Sequence, residues 1–499
     1  MKRLIVILAA LAMIAPITSA AAQDVDVDKS DNVDLVYSDQ YTHVNGTGTQ
    51  PFFRAGTDLA FDGDIIIAAQ QGPVTFTAGG EEQMSSKIHL YERLDEDEAA
   101  EVGQPFALRG TIPCFGGGQN DVASFAPGIV AVGYHSGTCG NGAFASAGVS
   151  LHDITDPTDP ILLSTVGGLP GGTHTLTVHP SKPIVYASPG GIANGGGTQQ
   201  IIDFTDILAP VLHTFQPNAA GCHDFSVIER EDGTFGICVG LTESQIWDLE
   251  DPVAPVIVSR IVNPLVQFNH TGVTTSDGTL LVIGDETLAA QECAGGPTGA
   301  MFAYDITDPA LPIPRGFFAI DRNASDNPIS AQNRTNWCTA HIFSFVGDTH
   351  TMVASWYTGG MNVIDWSDPM SPREVAHYRM DDGTRAGDTT NYWSAYFHEG
   401  LVYANDRGRG AMDVLEVDGL TEEAGLDGAP ATREGAWFSG SILDAPLEMH
   451  AHAQRRRLLA GSSPWAMVCA LAPAAMGDRA PLAGLRVAAP APYGSSLLG

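Results

Sequence analysis

A short motif recurs along this chain at a spacing near fifty residues, and repetition at that period restricts the fold more than any other feature of the sequence. Each full copy is an apolar strand ending in Asp, then a turn containing Pro. The copies are Val149–Pro157 (VSLHDITDP), Ile201–Pro210 (IIDFTDILAP), Ile246–Pro252 (IWDLEDP), Met301–Pro309 (MFAYDITDP) and Met361–Pro369 (MNVIDWSDP). Degenerate copies flank them at Ile88–Glu92 and Met412–Glu416. Aligned on the acidic residue, the seven positions are Glu92, Asp153, Asp203, Asp248, Asp305, Asp365 and Glu416, separated by 61, 50, 45, 57, 60 and 51 residues. A strand pattern repeated at this period means propeller blades.

A second landmark precedes each copy. A polar residue opens a short strand at Asp58, Asp121, His174, His223, His270, His341 and Ser394. A β-branched or apolar run follows each, as in Ile65–Ala69, Ile184–Ala187 and Leu280–Ile283. Each unit therefore reads as four strands. A starts at the polar residue, B is the apolar run, C ends at the acidic residue, and D follows the Asp-Pro turn. Asp accepts a hydrogen bond from a backbone N–H two residues on, and Pro presets φ, so the acidic residues of the motif are turn chemistry. The expectation is an all-β propeller of seven four-stranded blades. Strand D is weak after Glu416, and Val33–Tyr37 is a spare strand, so the N-terminal segment is expected to complete the seventh blade.

The five strand–Asp–Pro-turn segments resemble the LVIVD-repeat family of secreted, propeller-like proteins. The resemblance covers about residues 50–420. It implies architecture and export, and no particular reaction. Selenium-binding-protein-type methanethiol oxidases are similar in plan, as seven-bladed propellers with a histidine-rich metal site, but no residue of theirs is matched here.

Residues 1–22 read as a secretory signal, with Lys2 and Arg3 before an apolar run from Leu4 to Ile14 and Ala20–Ala22 at the cleavage site. The expected organisation then runs from an acidic segment with the closing strand (23–48) to the propeller (49–420), a C-terminal extension (421–449) and a tail (450–499). The tail has one acidic residue, Asp478, against five arginines. It reads as a disordered or frame-shifted extension, with a sorting signal as the third reading. No apolar run after the signal is long enough to span a bilayer. The mature chain is expected to be extracytoplasmic, periplasmic or secreted, and monomeric.

Export permits disulfides. Pairing neighbours gives Cys114–Cys139, Cys222–Cys238 and Cys293–Cys338, leaving Cys469 alone in the tail. Six cysteines allow 15 pairings, and the blade reading favours this one because Cys222 and Cys238 fall on the A and B strands of one unit.

The net charge is −34, from 58 acidic and 24 basic residues, and only four residues are lysine. Such a surface repels phosphate, so nucleic acid and anionic membranes are poor partners. The run from Asp24 to Asp34 lacks the Gly and Glu of a calcium loop (Lys29 and Leu35 stand there) and is expected to be a solvated, flexible terminus. Four sequons begin at Asn45, Asn269, Asn323 and Asn333. No Gly-x-Ser-x-Gly elbow is present, which leaves serine-hydrolase chemistry without support.

Chemistry concentrates at the channel mouth. His174, His223, His270 and His341 open four successive inner strands. Asp58 and Asp121 open two others. The ends of the B strands bring Gln70, His135, Asp285, Glu286, Trp356 and Asp406 to the same face. Convergent imidazoles suit Zn, Cu, Fe or Ni; the same histidines are also suited to tying neighbouring blades together. Two functions fit. One is a noncatalytic binding module for a protein, glycan or small ligand. The other is a metal-dependent enzyme, an oxidoreductase among the options, with a divalent transition metal on the four histidines.

Overall fold

The computed structural model describes residues 26–41, 55–71, 84–115, 120–135, 138–139, 147–189, 198–215, 221–287, 293–322, 337–381, 390–426 and 429. The signal, most of the C-terminal extension, the tail and three of the sequons lie outside them. The described residues form seven antiparallel blades in a ring. Blade one is built from 56–62, 65–70, 84–93 and 106–115, and blade two from 120–126, 129–134, 148–153 and 161–167. Blade three uses 175–178, 184–188, 199–203 and 211–215; blade four 224–230, 233–239, 244–248 and 256–261; blade five 269–274, 280–285, 301–305 and 313–318. Blade six uses 343–345, 351–355, 361–365 and 373–381. Blade seven takes 392–398, 401–406 and 411–417 from the end of the domain and its outer strand, 33–40, from the beginning.

Each strand pattern follows from where it packs. The B strands are sandwiched between neighbouring blades, so Ile184–Ser188 and Thr351–Ser355 are buried at every position. A strand covered on both faces reads as a continuous apolar run. Outer strands of blades two to five face solvent, and their first residues, Ile161, Val211, Val256 and Ile313, are exposed. Neighbouring inner strands contact each other in an unbroken cycle, 392–398 returning to 56–62. The apolar core is correspondingly divided into seven clusters, one at each seam between blades.

The Asp-Pro turns have the expected chemistry twice over. Asp153, Asp203, Asp248, Asp305 and Asp365 each accept from the backbone N–H two residues on, at 2.8–2.9 Å. Asp156, Asp206, Asp251, Asp308 and Asp368 do the same one turn later, at 2.9–3.1 Å. Ten acidic residues are thus consumed by one repeated bend.

Closure is the expected one. Val33 pairs with Val417 and Gln40 with Ala411. The strand is pinned by Ser38, whose hydroxyl donates to Asp413 at 2.6 Å, and by the Tyr41 hydroxyl, which donates to Asn405 at 2.6 Å. The preceding residues depart from expectation. Asp26–Lys29 are ordered as a fifth strand on the edge of blade six, because residues 373–381 present unpaired backbone groups there. Ser30 then exchanges hydrogen bonds with the backbone of His377.

All three expected disulfides form. Cys222–Cys238 lies within blade four. Cys114–Cys139 is a bridge between units, since Cys114 ends the outer strand of blade one and Cys139, from the loop after the second strand of blade two, adds to that same sheet. Cys293–Cys338 ties the long connections of blades five and six.

Two outcomes test this account of closure. Val33 is fully buried, so Val33→Asp, which inserts an unpaired charge, is expected to cost about 3 kcal/mol or more in denaturant unfolding. Val36→Asp, at an exposed position of the same strand, should cost under about 1 kcal/mol. Separately, replacing Cys222 and Cys238 together by Ala opens a loop of 16 residues and should lower stability by about 3 kcal/mol.

Candidate metal centre

Four inner strands deliver their histidines to one arc. Ring centroids are 4.4 Å apart for His174–His223, 4.3 Å for His223–His270 and 4.2 Å for His270–His341. His135, from the end of the second strand of blade two, continues the arc at 5.3 Å from His174. Gly172 makes this approach possible. It has φ 76°, and a Cβ there would stand 2.5 Å from the His135 carbonyl oxygen. His223, His270 and His341 are buried, whereas His135 and His174 are partly open to solvent.

Glu286 supplies the carboxylate. Its two oxygens lie 3.3 Å from His270 Nε2 and 3.7 Å from His341 Nε2. The Tyr357 hydroxyl donates to it at 2.6 Å. Tyr357 also packs on the His341 ring at 4.5 Å, and it adopts φ 42°, a left-handed conformation that is strained for a residue with a side chain. Trp393 flanks the His341 end of the arc, 4.4 Å from His341.

Hydrogen bonds decide which nitrogens are free to bind. His341 Nδ1 lies 2.5 Å from the Trp393 carbonyl oxygen. A carbonyl only accepts, so Nδ1 carries the proton and Nε2 presents its lone pair toward Glu286. His270 Nδ1 is engaged with the Thr271 hydroxyl at 2.8 Å, leaving Nε2 for the site. Among the described residues, His341 Nε2 is buried with no hydrogen-bond partner. Such an atom costs about 1–3 kcal/mol unless something binds it.

Electrostatics favour the ligating forms. Burial, then the neighbouring imidazoles, hold His174, His223 and His270 well below the usual imidazole range. Burial does the same to His341, against the opposing Trp393 carbonyl. Four neutral imidazoles therefore converge at neutral pH. Burial pushes Glu286 up to about 7. Candidate ligand atoms of His174, His223 and His270 lie within 4.8 Å of one another, and so do those of His270, Glu286 and His341.

The other sequence candidates have different places. The strand registers show that Asp58, Asp121 and Ser394 belong one residue further along their strands than the histidines. Asp121 pairs with Gly133 and Ser394 with Asn405 at the register where Thr175 pairs with Ser188 and Asp224 with Val239, each one residue past the histidine position, and Asp58 occupies the same register next to Leu59, which pairs with Ala68. The histidine tier is thus completed by Thr57, Asn120 and Trp393, and the offset arises because a polar residue sits at both positions in blades one and two. Asp58 and Asp121 form a deeper tier with Asp224 and Tyr396. The Tyr396 hydroxyl donates to Asp58 at 2.7 Å, and burial beside Asp58 raises Asp121 well above the carboxylate range. Beyond this tier the channel opens as a cavity of about 400 Å³ walled by Leu59, Phe61, Val122 and Leu176.

Asp285 and Asp406 are structural. Asp285 accepts from the backbone of Gln267, Phe268 and Gly299. Asp406 accepts from the backbone of Gly408 and Arg409 and pairs with the Arg409 side chain. Gln70 bonds His89 at 2.9 Å, and Trp356 is core. Asn269, in the one described sequon, is 2% exposed, which closes it to glycosylation in the folded chain. Sequence reasoning missed Tyr357 and Trp393, which stand outside the repeated landmarks.

No family model matches this chain, and no curated protein matches it. Among solved structures it is similar to the β-propeller domain of Cps50 (Swd1) from Myceliophteria thermophila, at 11% identity and TM-score 0.47, covering 77% of this chain and 99% of that one. It is also similar to Sqt1 from Saccharomyces cerevisiae, at 10% identity and TM-score 0.46, covering 73% and 97%. Among the described residues no helix is long and apolar enough to cross a membrane.

Buried imidazoles also set the response to acid. Burial lowers His89 to about 3 and His152 to about 4. Their folded values lie below the unfolded 6.5, so the stability they contribute is present above pH 6.5 and is lost as pH falls toward those values. His89→Gln removes one such group. Between pH 6.5 and 4.5 the wild type is expected to lose about 2–3 kcal/mol relative to this variant. Unfolding of both proteins across that range checks it.

Proposed function

We propose that this protein is an exported β-propeller that binds one divalent transition-metal ion at its channel mouth, held by His270, Glu286 and His341, with His174 and His223 continuing the arc beside it. The orphaned His341 Nε2, buried and 3.7 Å from the Glu286 carboxylate, carries the reading, because a bound cation is what would satisfy it. The donor set, rich in neutral imidazole with one carboxylate, suits Zn, Cu, Fe or Ni. One ion fits better than two. Both triads include His270, whose Nδ1 is already held by Thr271.

This reading gives the expected ligand-binding role a specific ligand, and the enzymatic alternative would use the same ion. Partly open His174 and His135 leave an approach from solvent, which an oxidoreductase or other metal-dependent enzyme requires. The repeated strand–Asp–Pro segments support placement beside the LVIVD-repeat proteins. The three disulfides and the apolar N-terminal run support export.

Untagged protein should carry close to one equivalent of metal by elemental analysis, or take up Zn or Cu with measurable heat. His270→Ala should weaken that binding by at least about 100-fold, and Tyr357→Phe, which removes only the hydrogen bond to Glu286, by about tenfold. Protein that holds no metal and gives no heat with either ion would overturn the reading.

A further inference from the structure

One cation stands beside this centre in an otherwise acidic chain. Arg407 follows the second strand of blade seven, and its guanidinium lies over two indoles, 5.0 Å from the Trp393 ring and 5.4 Å from the Trp337 ring. It reaches the Tyr357 hydroxyl, which in turn donates to Glu286. Its charge acts on both Glu286 and His341. Among the described residues it makes no ion pair with a carboxylate within 4.0 Å. The other arginines near carboxylates do pair, as Arg409 with Asp406 and Asp413, Arg373 with Asp365 and Arg315 with Asp305. Arg407 is also partly exposed.

We infer that the exchangeable ligand of the proposed metal centre is a small carboxylate, held between the ion and Arg407; this rests on the metal reading above. Charge balance supports it. The ligand imidazoles are neutral, so a divalent ion and Arg407 bring three positive charges against the one negative charge of Glu286. An anion at the open side offsets the excess. Guanidinium matches a carboxylate through two parallel N–H···O bonds, which a point charge does not provide. Trp337 and Trp393 hold the guanidinium plane in place and offer flat apolar walls to the rest of the ligand. The chain's overall negative charge would slow anion entry, and the local cation pair is what selects for it.

The test uses the full mature chain loaded with Co(II), whose visible absorption reports its coordination, and acetate as the probe with acetamide as the neutral control. Acetate should change the Co(II) spectrum saturably, and acetamide should not. Arg407→Met should weaken acetate by about 10- to 100-fold, the loss of a charge-assisted hydrogen bond. Its Co(II) affinity should not fall, because the change removes a positive charge beside the ion. Arg407→Lys should recover part of the loss. Loaded protein that ignores acetate, or binds it equally well as Arg407→Met, overturns the anion assignment and leaves the metal reading standing. A chain that fails to take up Co(II) overturns both.

Discussion

Everything in this molecule depends on the seam between neighbouring blades. No blade can bury its own faces. Each is covered only by the next, and the seven apolar clusters are the seven places where that happens. A ring of such units is stable only when the last seam closes. Here Tyr403, Met412 and Val414 of blade seven meet Leu59 and Ile66 of blade one. The chain makes that possible by lending its beginning to its end. Val33–Gln40 completes the last sheet, so the two ends of the domain are held by a ladder of backbone hydrogen bonds. Blade seven adds a buried ion network, Asp406–Arg409–Asp413, to which Ser38 is tied.

The same seams build the candidate centre. An inner strand must start at the channel and must satisfy its backbone against the neighbouring blade. Small hydroxyl side chains meet this need in several blades, as Thr57, Thr175 and Ser394 show. In the arc, His341 makes such a bond through Nδ1 to the Trp393 carbonyl. That bond orients the ring and fixes its proton, which leaves the opposite nitrogen pointing at Glu286. The structural and ligating roles of a channel histidine are therefore compatible. One nitrogen serves the ring of blades, and the other is available to the channel.

The repeat made most of the fold legible. The Asp-Pro turns, the blade number, the closing strand and the cysteine pairs all follow from aligning seven segments, because each unit solves the same packing problem with the same residues. Legibility failed where copies diverge. In blades one and two a polar residue occupies two successive positions, so Asp58 and Asp121 were aligned with the histidines although Thr57 and Asn120 hold that place. The residues that shape the His341 end of the arc, Tyr357, Trp393 and Arg407, come from loops and from the most degenerate unit. No periodic signal marks them.

The sequence by itself determined a ring of seven sheets and four histidines on successive inner strands, since hydrophobic period and turn chemistry are local properties repeated along the chain. Only the tertiary structure decided that these imidazoles touch, that Glu286 completes their arc while Asp285 and Asp406 serve the backbone, and that Asp26–Lys29 caps the edge of blade six. Those outcomes depend on which groups the closed ring removes from water and leaves facing each other, and that is a property of the whole circle.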